Sequence, residues 1–322
     1  MGYVNHGVLK DFATSRVNLK AEDVARHRQQ VQRLRDRLKE HIDANADYGF
    51  VKTRHAGSLA KGTALSTLND MDLAVYVKAG AAPADEQDLV NWMEARLKEA
   101  LKPIGLKDDQ FVQQAHCVKI EYRGSGLNVD VVPVIYEGEA DDVGYLITKA
   151  TGRRVRTSVT LHLQFIRTRK QRQADFAQVV RLCKWWGRQV KRRSGEDFRF
   201  KSFMIELILA HLADGSPAMS DYPEALEAFF AYIVKEELQE RIAFGDFYGA
   251  GSLPGATGAE IEIFDPVNPE NNVASTYTRT DRDRIVTAAN DALDAITEAA
   301  YVDGKGRAVD LWKTVMGPVF DG

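Results

Sequence analysis

The chain has 322 residues, enough for one large domain or two fused lobes, with a sizeable core that needs no disulfides or structural metal. Hydrophobic residues make up 44% and charged residues 28%, with 24 Gly and 9 Pro, which excludes collagen-like, disordered and low-complexity classes. Forty-three basic against 46 acidic side chains leave a net charge of −3; this disfavours constitutive binding of nucleic acid through a broad basic surface, although local basic patches stay open.

The N-terminus, Met1-Gly2-Tyr3-Val4-Asn5-His6, has neither the apolar stretch of a signal peptide nor the myristoylation pattern, and no apolar run is long enough to span a bilayer. A cytoplasmic protein with no membrane partner is expected. Residues 20–43 read as a long amphipathic helix with Val24, Val31, Leu34, Leu38 and Ile42 near one stripe. It covers too few heptads for a coiled coil and is a candidate brace along the lobes. A strand ending at Ala56 leads into Gly57-Ser58-Leu59-Ala60-Lys61-Gly62-Thr63. From Asp70 to Lys78 the period changes to two, with Met71, Leu73, Val75 and Val77 on one face of a strand.

Helical spacing returns from Asp85 to Lys102. Two further strands, His116–Arg123 and Leu127–Ile135, flank the turn signal Gly124-Ser125-Gly126. These segments predict a mixed sheet with helices against it. After about residue 160 the pattern is almost wholly helical. Phe176, Val179, Val180, Cys183, Trp186 and Val190 form one stripe, Phe203, Leu207, Ile208 and Leu212 another, and residues 222–243 and 280–300 look similar. The two cysteines, Cys117 and Cys183, sit among apolar residues and read as core side chains, too few for a disulfide framework or a zinc cluster.

Asp70 and Asp72 are two apart on a strand, so both side chains leave the face opposite the apolar one. Asp130 interrupts the apolar run Leu127-Asn128-Val129-Asp130-Val131-Val132-Pro133-Val134, where a carboxylate is costly unless paired, hydrogen-bonded or bound to a cation. If the strands are neighbours, the three anions converge, and hard oxygen ligands suit Mg²⁺ or Mn²⁺. The plainer alternative is that Asp70 ends a turn after Asn69 while Asp72 and Asp130 are edge or salt-bridged residues. Upstream, the small residues of Gly57–Thr63 let backbone N–H groups approach an anion, with Ser58 and Thr63 as hydroxyl donors.

A Gly-Ser loop, two carboxylates one residue apart on a strand and a third on a later strand together resemble the polymerase-β-type nucleotidyltransferase superfamily. In the helical part, Arg181-Leu182-Cys183-Lys184-Trp185-Trp186 and Lys201-Ser202-Phe203-Met204-Ile205-Glu206 look like the lysine-bearing helix and the Lys-Ser-Phe-hydrophobic-Glu helix of the oligoadenylate-synthase and cyclic GMP-AMP-synthase branch. Asp265-Pro266-Val267-Asn268-Pro269-Glu270-Asn271-Asn272-Val273 is similar to the Asp-Pro-x-x-Pro-x-x-Asn-Val element of that branch. Among its members the chain resembles the bacterial CD-NTases, the cyclic-oligonucleotide synthases of CBASS anti-phage systems, and within these the HORMA-associated group.

The resemblance implies an α+β fold. Residues 1–160 are expected to form a mixed-sheet catalytic lobe with the N-terminal brace helix, and residues 161–322 a helical lobe completing a nucleotide cleft. It also implies ATP as substrate, two Mg²⁺ ions (or Mn²⁺) on Asp70, Asp72 and Asp130, a phosphate loop at Gly57 and Ser58, and contacts from Lys184 and Ser202 to the donor triphosphate. Cyclic tri-AMP is the first choice of product. A linear oligoadenylate synthase and a catalytically silent nucleotide-binding scaffold are the alternatives. A HORMA-domain protein is the expected activator, with nucleic acid acting only in the activated complex, because no Cys/His set could build the zinc insertion of the vertebrate DNA sensor. From the residues alone, Lys184 also reads as a solvated helix-face cation, Ser202 as a helix cap, and Trp185 and Trp186 as core.

Overall fold

A computed structural model describes residues 2–45, 49–68, 70–215 and 218–322. The chain forms two compact units. One, the sheet unit, holds residues 19–62 and 67–164; the other, the helical unit, holds residues 2–18, 63–66 and most of the chain from Phe165 to Gly322. The expected division at 160 differs from this in two places. The boundary lies inside a helix that runs from Val159 to Arg172, and the first residues of the chain belong to the helical unit. The reason is packing: Leu9, Phe12, Ala13 and Val17 are buried in the helical core, with Phe12 edge-on to Trp185 and Phe320.

The sheet unit is built on seven strands: β1 (Phe50–Ala56), β2 (Asp70–Lys78), β3 (Phe111–Gln113), β4 (Val118–Tyr122), β5 (Leu127–Tyr136), β6 (Gly144–Ile147) and β7 (Arg154–Thr157). The order β1-β2-β5-β4-β3, with β6 on β5 and β7 on β6, makes a mixed sheet. Only β2 and β5 run parallel; the other pairs are antiparallel. The short strands β3, β6 and β7 escape a period-two reading, since three or four residues hold too little alternation to register.

Two helices cover one face of this sheet, α2 (Ala21–Asp43) and α4 (Leu89–Leu101), numbered after α1 (His6–Phe12) and α3 (Gly57–Lys61). Val31, Leu34, Leu38 and Ile42 of α2 meet Met71, Leu73, Val75 and Val77 of β2 and Val129 and Val131 of β5 in one buried cluster. Alternation then puts Asp70, Asp72, Lys119, Asn128 and Asp130 on the opposite face. Beyond the carboxylates that face is buried too, where Ala74 and Tyr76 pack on Val134.

In the helical unit, α5 (Val159–Arg172, shared with the sheet unit) precedes α6 (Phe176–Ser194), α7 (Ser202–Asp214), α8 (Tyr222–Glu236), α9 (Arg279–Tyr301) and α10 (Lys305–Met316). The predicted α6 stripe is buried throughout, and both tryptophans are core residues, with Trp185 Nε1 donating to the Met316 carbonyl at 2.8 Å. The helix expected over 222–243 stops at Glu236. Glu237 and Leu238 adopt φ of 48° and 56°, which an L-residue helix excludes, and Ile242 instead pairs with Ile263. The Asp265–Val273 element is a hydrogen-bonded corner: Asp265 Oδ1 accepts the Val267 N–H at 2.8 Å, and the Asn272 side-chain Oδ1 accepts the N–H groups of Ile263 and Ala274.

Candidate active site

The parallel register of β2 and β5 sets Asp70 beside Asn128 and Asp72 beside Asp130. The same one-residue spacing, Asp-Met-Asp on one strand and Asn-Val-Asp on the other, thus builds a two-by-two array of polar side chains on one face. The antiparallel register of β4 adds Lys119 beside Asp130, and that of β1 sets Ala56 beside Asp72. Gly57 follows directly. Its φ of +68° and its approach to β2 both call for glycine, because a Cβ there would stand 1.6 Å from Asp72 Oδ2. Gly57 and Ser58 open α3, a helix of five residues closed by Gly62 in the left-handed conformation.

The carboxylates are held differently. Asp70 Oδ1 accepts from Asn128 Nδ2 at 2.9 Å and lies 3.5 Å from Lys119 Nζ. Asp130 Oδ1 is buried without a hydrogen-bond partner. Burial pushes the Asp130 carboxyl up from its usual range, the Lys119 ammonium draws it back, and the Asp70 charge adds to the rise. An orphaned buried carboxylate oxygen facing a second carboxylate is a site with unfilled affinity for a cation, and its all-oxygen donor set suits a hard divalent ion. The residues present therefore fit such an ion. The array comes from backbone register, with Asp70 turned to Asn128 and Lys119, and among the described residues no three acidic, histidine or cysteine side chains close around one point. Asn69 lies outside the described residues.

Cys117 stands near this array. Burial first, then the charges of Asp130 and Asp72, push its thiol up to about 12, so it is neutral at physiological pH, with Sγ on Gln114 Oε1 at 3.3 Å.

Lys184 and Ser202 belong to the helical unit. Lys184 is buried on α6, where its ammonium meets Glu206 Oε1 of α7 as well as the hydroxyl and carbonyl of Thr63 at 3.1 and 3.4 Å. The Thr63 hydroxyl donates to the same Glu206 oxygen at 2.6 Å. The solvated-cation alternative for Lys184 is therefore wrong: a charged group this deep needs a counter-ion, and Glu206, one turn into α7, supplies it. Ser202 is exposed at the first position of α7. The start of that helix is fixed by the Lys201 N–H donating to Tyr277 Oη at 3.0 Å and by Lys201 Nζ donating to the Val273 carbonyl at 2.9 Å, which ties it to the Asp265–Val273 corner.

Lys119 and Asn128 are not singled out by the sequence, and Glu206 enters there only as the last residue of the Lys-Ser-Phe-hydrophobic-Glu helix, without a role. The repeated Asp-x-Asp and Asn-x-Asp spacing was the available signal for Asn128. Lys119 becomes visible only through strand pairing, and the role of Glu206 as the partner of Lys184 only through helix pairing.

Comparison with known proteins places the chain in a family. Residues 1–157 match the family model of the Second Messenger Oligonucleotide or Dinucleotide Synthetase domain. Over 321 residues, 99% of each chain, the sequence is 44% identical to a cyclic AMP-AMP-AMP synthase of Escherichia coli strain MS 115-1. The fold is similar to solved structures of Escherichia coli MS115-1 CdnC, one with ATP (TM-score 0.90, 44% identity, 99% of this chain and 100% of that one) and one in a CdnC:HORMA-deltaN complex (TM-score 0.89, 44% identity, 99% of both).

Proposed function

We propose that this chain, which belongs to the CD-NTase family of second messenger oligonucleotide and dinucleotide synthetases, makes cyclic tri-AMP from ATP in a CBASS anti-phage system. The observation that carries the product is full-length identity of 44% with a cyclic AMP-AMP-AMP synthase. The observation that carries the chemistry is the Asp72–Asp130 pairing with its orphaned oxygen.

Asp70, Asp72 and Asp130 would hold two Mg²⁺ ions, which supply activation of the acceptor ribose hydroxyl and charge neutralisation on the leaving pyrophosphate. The chain's own residues do the rest. Asp130, whose carboxylate burial makes more basic than usual, would assist removal of the proton from the acceptor hydroxyl. Gly57 brings backbone against Asp72 where a side chain would collide, and Ser58 presents its hydroxyl to the donor phosphates. Ser202 is assigned to the donor triphosphate, while Lys184, expected there too, has its ammonium committed to Glu206 and Thr63 and supports the helical unit from within. Ring closure requires the free hydroxyl of a linear intermediate to return to the acceptor position.

A HORMA-domain protein is the activator we assign, with nucleic acid acting only in the assembled complex, as part of a cytoplasmic system. Among the described residues no helix is long and apolar enough to cross a membrane. The test is incubation with ATP and Mg²⁺, with and without a HORMA protein, then phosphatase treatment and mass measurement. A phosphatase-resistant trimer of AMP is the expected product. A phosphatase-sensitive ladder would point to the linear synthase, and absence of pyrophosphate release in every arm would point to the silent scaffold.

A further inference from the structure

Strand register sets the basic side chain of Lys119 beside the carboxylate array. It projects from β4, opposite Asp130, on the face that carries Asp70, Asp72 and Asn128. Its ammonium reaches diagonally to Asp70, 3.5 Å from Oδ1, the oxygen that also accepts from Asn128 Nδ2 at 2.9 Å. The pair is not a loose surface contact on the lysine side, since the Lys119 side chain keeps only 21% of its exposure while Asp70 keeps 45%. Lys119 thus reaches over the array with a mostly covered side chain and its charge at Asp70.

We propose that Lys119 is a positioning residue of this site, the resident counter-ion of Asp70, and that it competes with divalent cations for that carboxylate. The inference rests on the metal-binding reading above. Three carboxylates on one face repel one another in the metal-free protein, and a tethered ammonium offsets part of that repulsion without leaving the chain. The same charge opposes a divalent ion that approaches Asp70, since a cation within reach of Asp70 Oδ1 is within a few ångströms of Nζ. Lys119 and Asn128 therefore hold Asp70 turned aside until an ion draws it away. The array fills at a higher ion concentration than the carboxylates alone would set.

The experiment is Mn²⁺ binding to the full chain without nucleotide, followed by the free-ion electron paramagnetic resonance signal. Lys119→Met should tighten binding by about three- to tenfold, the size expected for removing one nearby like charge in a partly solvated site. Lys119→Gln carries the same test if the methionine variant folds poorly. Lys119→Arg keeps the charge and should stay within about twofold of the wild type, a rescue that a packing role would not give. In an Asp70→Asn background the Lys119→Met effect should vanish, because the competition runs through Asp70. Unchanged or weaker binding in Lys119→Met and Lys119→Gln, with the wild type binding normally, overturns the inference and spares the metal site. A wild type that binds no Mn²⁺ overturns both.

Discussion

On the sheet, Asp72 and Asp130 face each other across parallel strands, with one Asp130 oxygen buried and unpartnered. In the helical unit, Lys184 and Glu206 are buried more deeply, at 5% and 2% exposure, and close on each other and on Thr63. Both clusters set charge where water is scarce, and desolvation penalises both. The helical cluster is neutral overall and internally satisfied, so its free energy is already realised in the folded chain. In the sheet cluster Lys119 stands 3.5 Å from Asp70 while Asp130 keeps a buried oxygen without a hydrogen-bond partner, so on the reading proposed above part of its favourable interaction is left for a ligand. The first arrangement serves the fold; on that reading, the second gives up some stability for chemistry.

The sharpest way to break this contrast is to neutralise the sheet cluster. Asp70→Asn combined with Asp72→Asn should reduce pyrophosphate release from ATP by more than about a thousandfold, since both ions would lose ligands. The melting temperature should hold or rise, because repulsion is removed along with function. Residual release near the wild-type rate would refute the assignment, and a collapsed melting temperature would mean that these carboxylates serve the fold after all.

The opposite outcome is expected in the helical unit. Lys184→Ala leaves Glu206 charged and buried without its counter-ion and should cost about 3–5 kcal/mol of unfolding free energy. Lys184→Met with Glu206→Leu should recover most of that loss, as paired apolar replacements of a buried ion pair usually do. Urea unfolding of the three proteins decides it. A lysine held mainly for the triphosphate would instead leave stability nearly untouched while weakening ATP binding.

The same contrast explains what could be read in advance. The β2 strand has the predicted bounds, Asp70–Lys78, because nine residues of clean alternation leave no second solution. The α6 stripe was equally legible, since its apolar residues recur at helical spacing through about four turns. The Asp70–Asp72 spacing was visible as chemistry because two carboxylates on one strand face are rare without a reason. The parallel register that sets Asp72 beside Asp130 was not, because alternation fixes which face a residue uses and says nothing about its neighbour on the next strand. For the same reason Lys184 read as either a ligand group or a surface cation. Its counter-ion lies 22 residues away on another helix, and only the packing of α6 on α7 reveals it. The assignment of the first residues to the helical core is likewise a tertiary choice, made by Phe12 and Val17 burying themselves there.

Gly57→Ala gives a smaller and more local effect. A Cβ at φ +68° costs about 1–2 kcal/mol, and it would displace the Asp72 carboxylate whose Oδ2 occupies that space. Activity should therefore fall by more than that stability loss accounts for, and pyrophosphate release measured against the urea midpoint separates the two. Loss of stability with activity intact would show that Asp72 can move without consequence.

The smallest effect concerns a third charged cluster, which lies on the sheet yet is satisfied like the helical one. Asp142 accepts from Lys52 Nζ, from Arg54 Nε at 2.8 Å and from Thr160 Oγ1 at 2.7 Å, while the Lys52 ammonium sits 4.3 Å from the Tyr136 ring centre. Burial alone would raise the Asp142 carboxyl, but hydrogen bonds from Lys52, Thr160 and Arg54 outweigh it and bring it down to about 2. A depressed carboxyl adds stability above the unfolded-state value near 3.9 and loses it as pH falls toward 2. The full shift would be worth about 2.6 kcal/mol, and solvent around the half-exposed Arg54 reduces this to about 1–2 kcal/mol. Asp142→Asn should therefore lower the urea midpoint by a constant amount from pH 7 down to about pH 4, and the gap to the wild type should close below that. A gap that closes between pH 7 and pH 5 would assign the pH dependence to another group. A gap that never closes would mean that Asp142 holds β1 against the start of α5 by hydrogen-bond geometry alone, with its charge irrelevant.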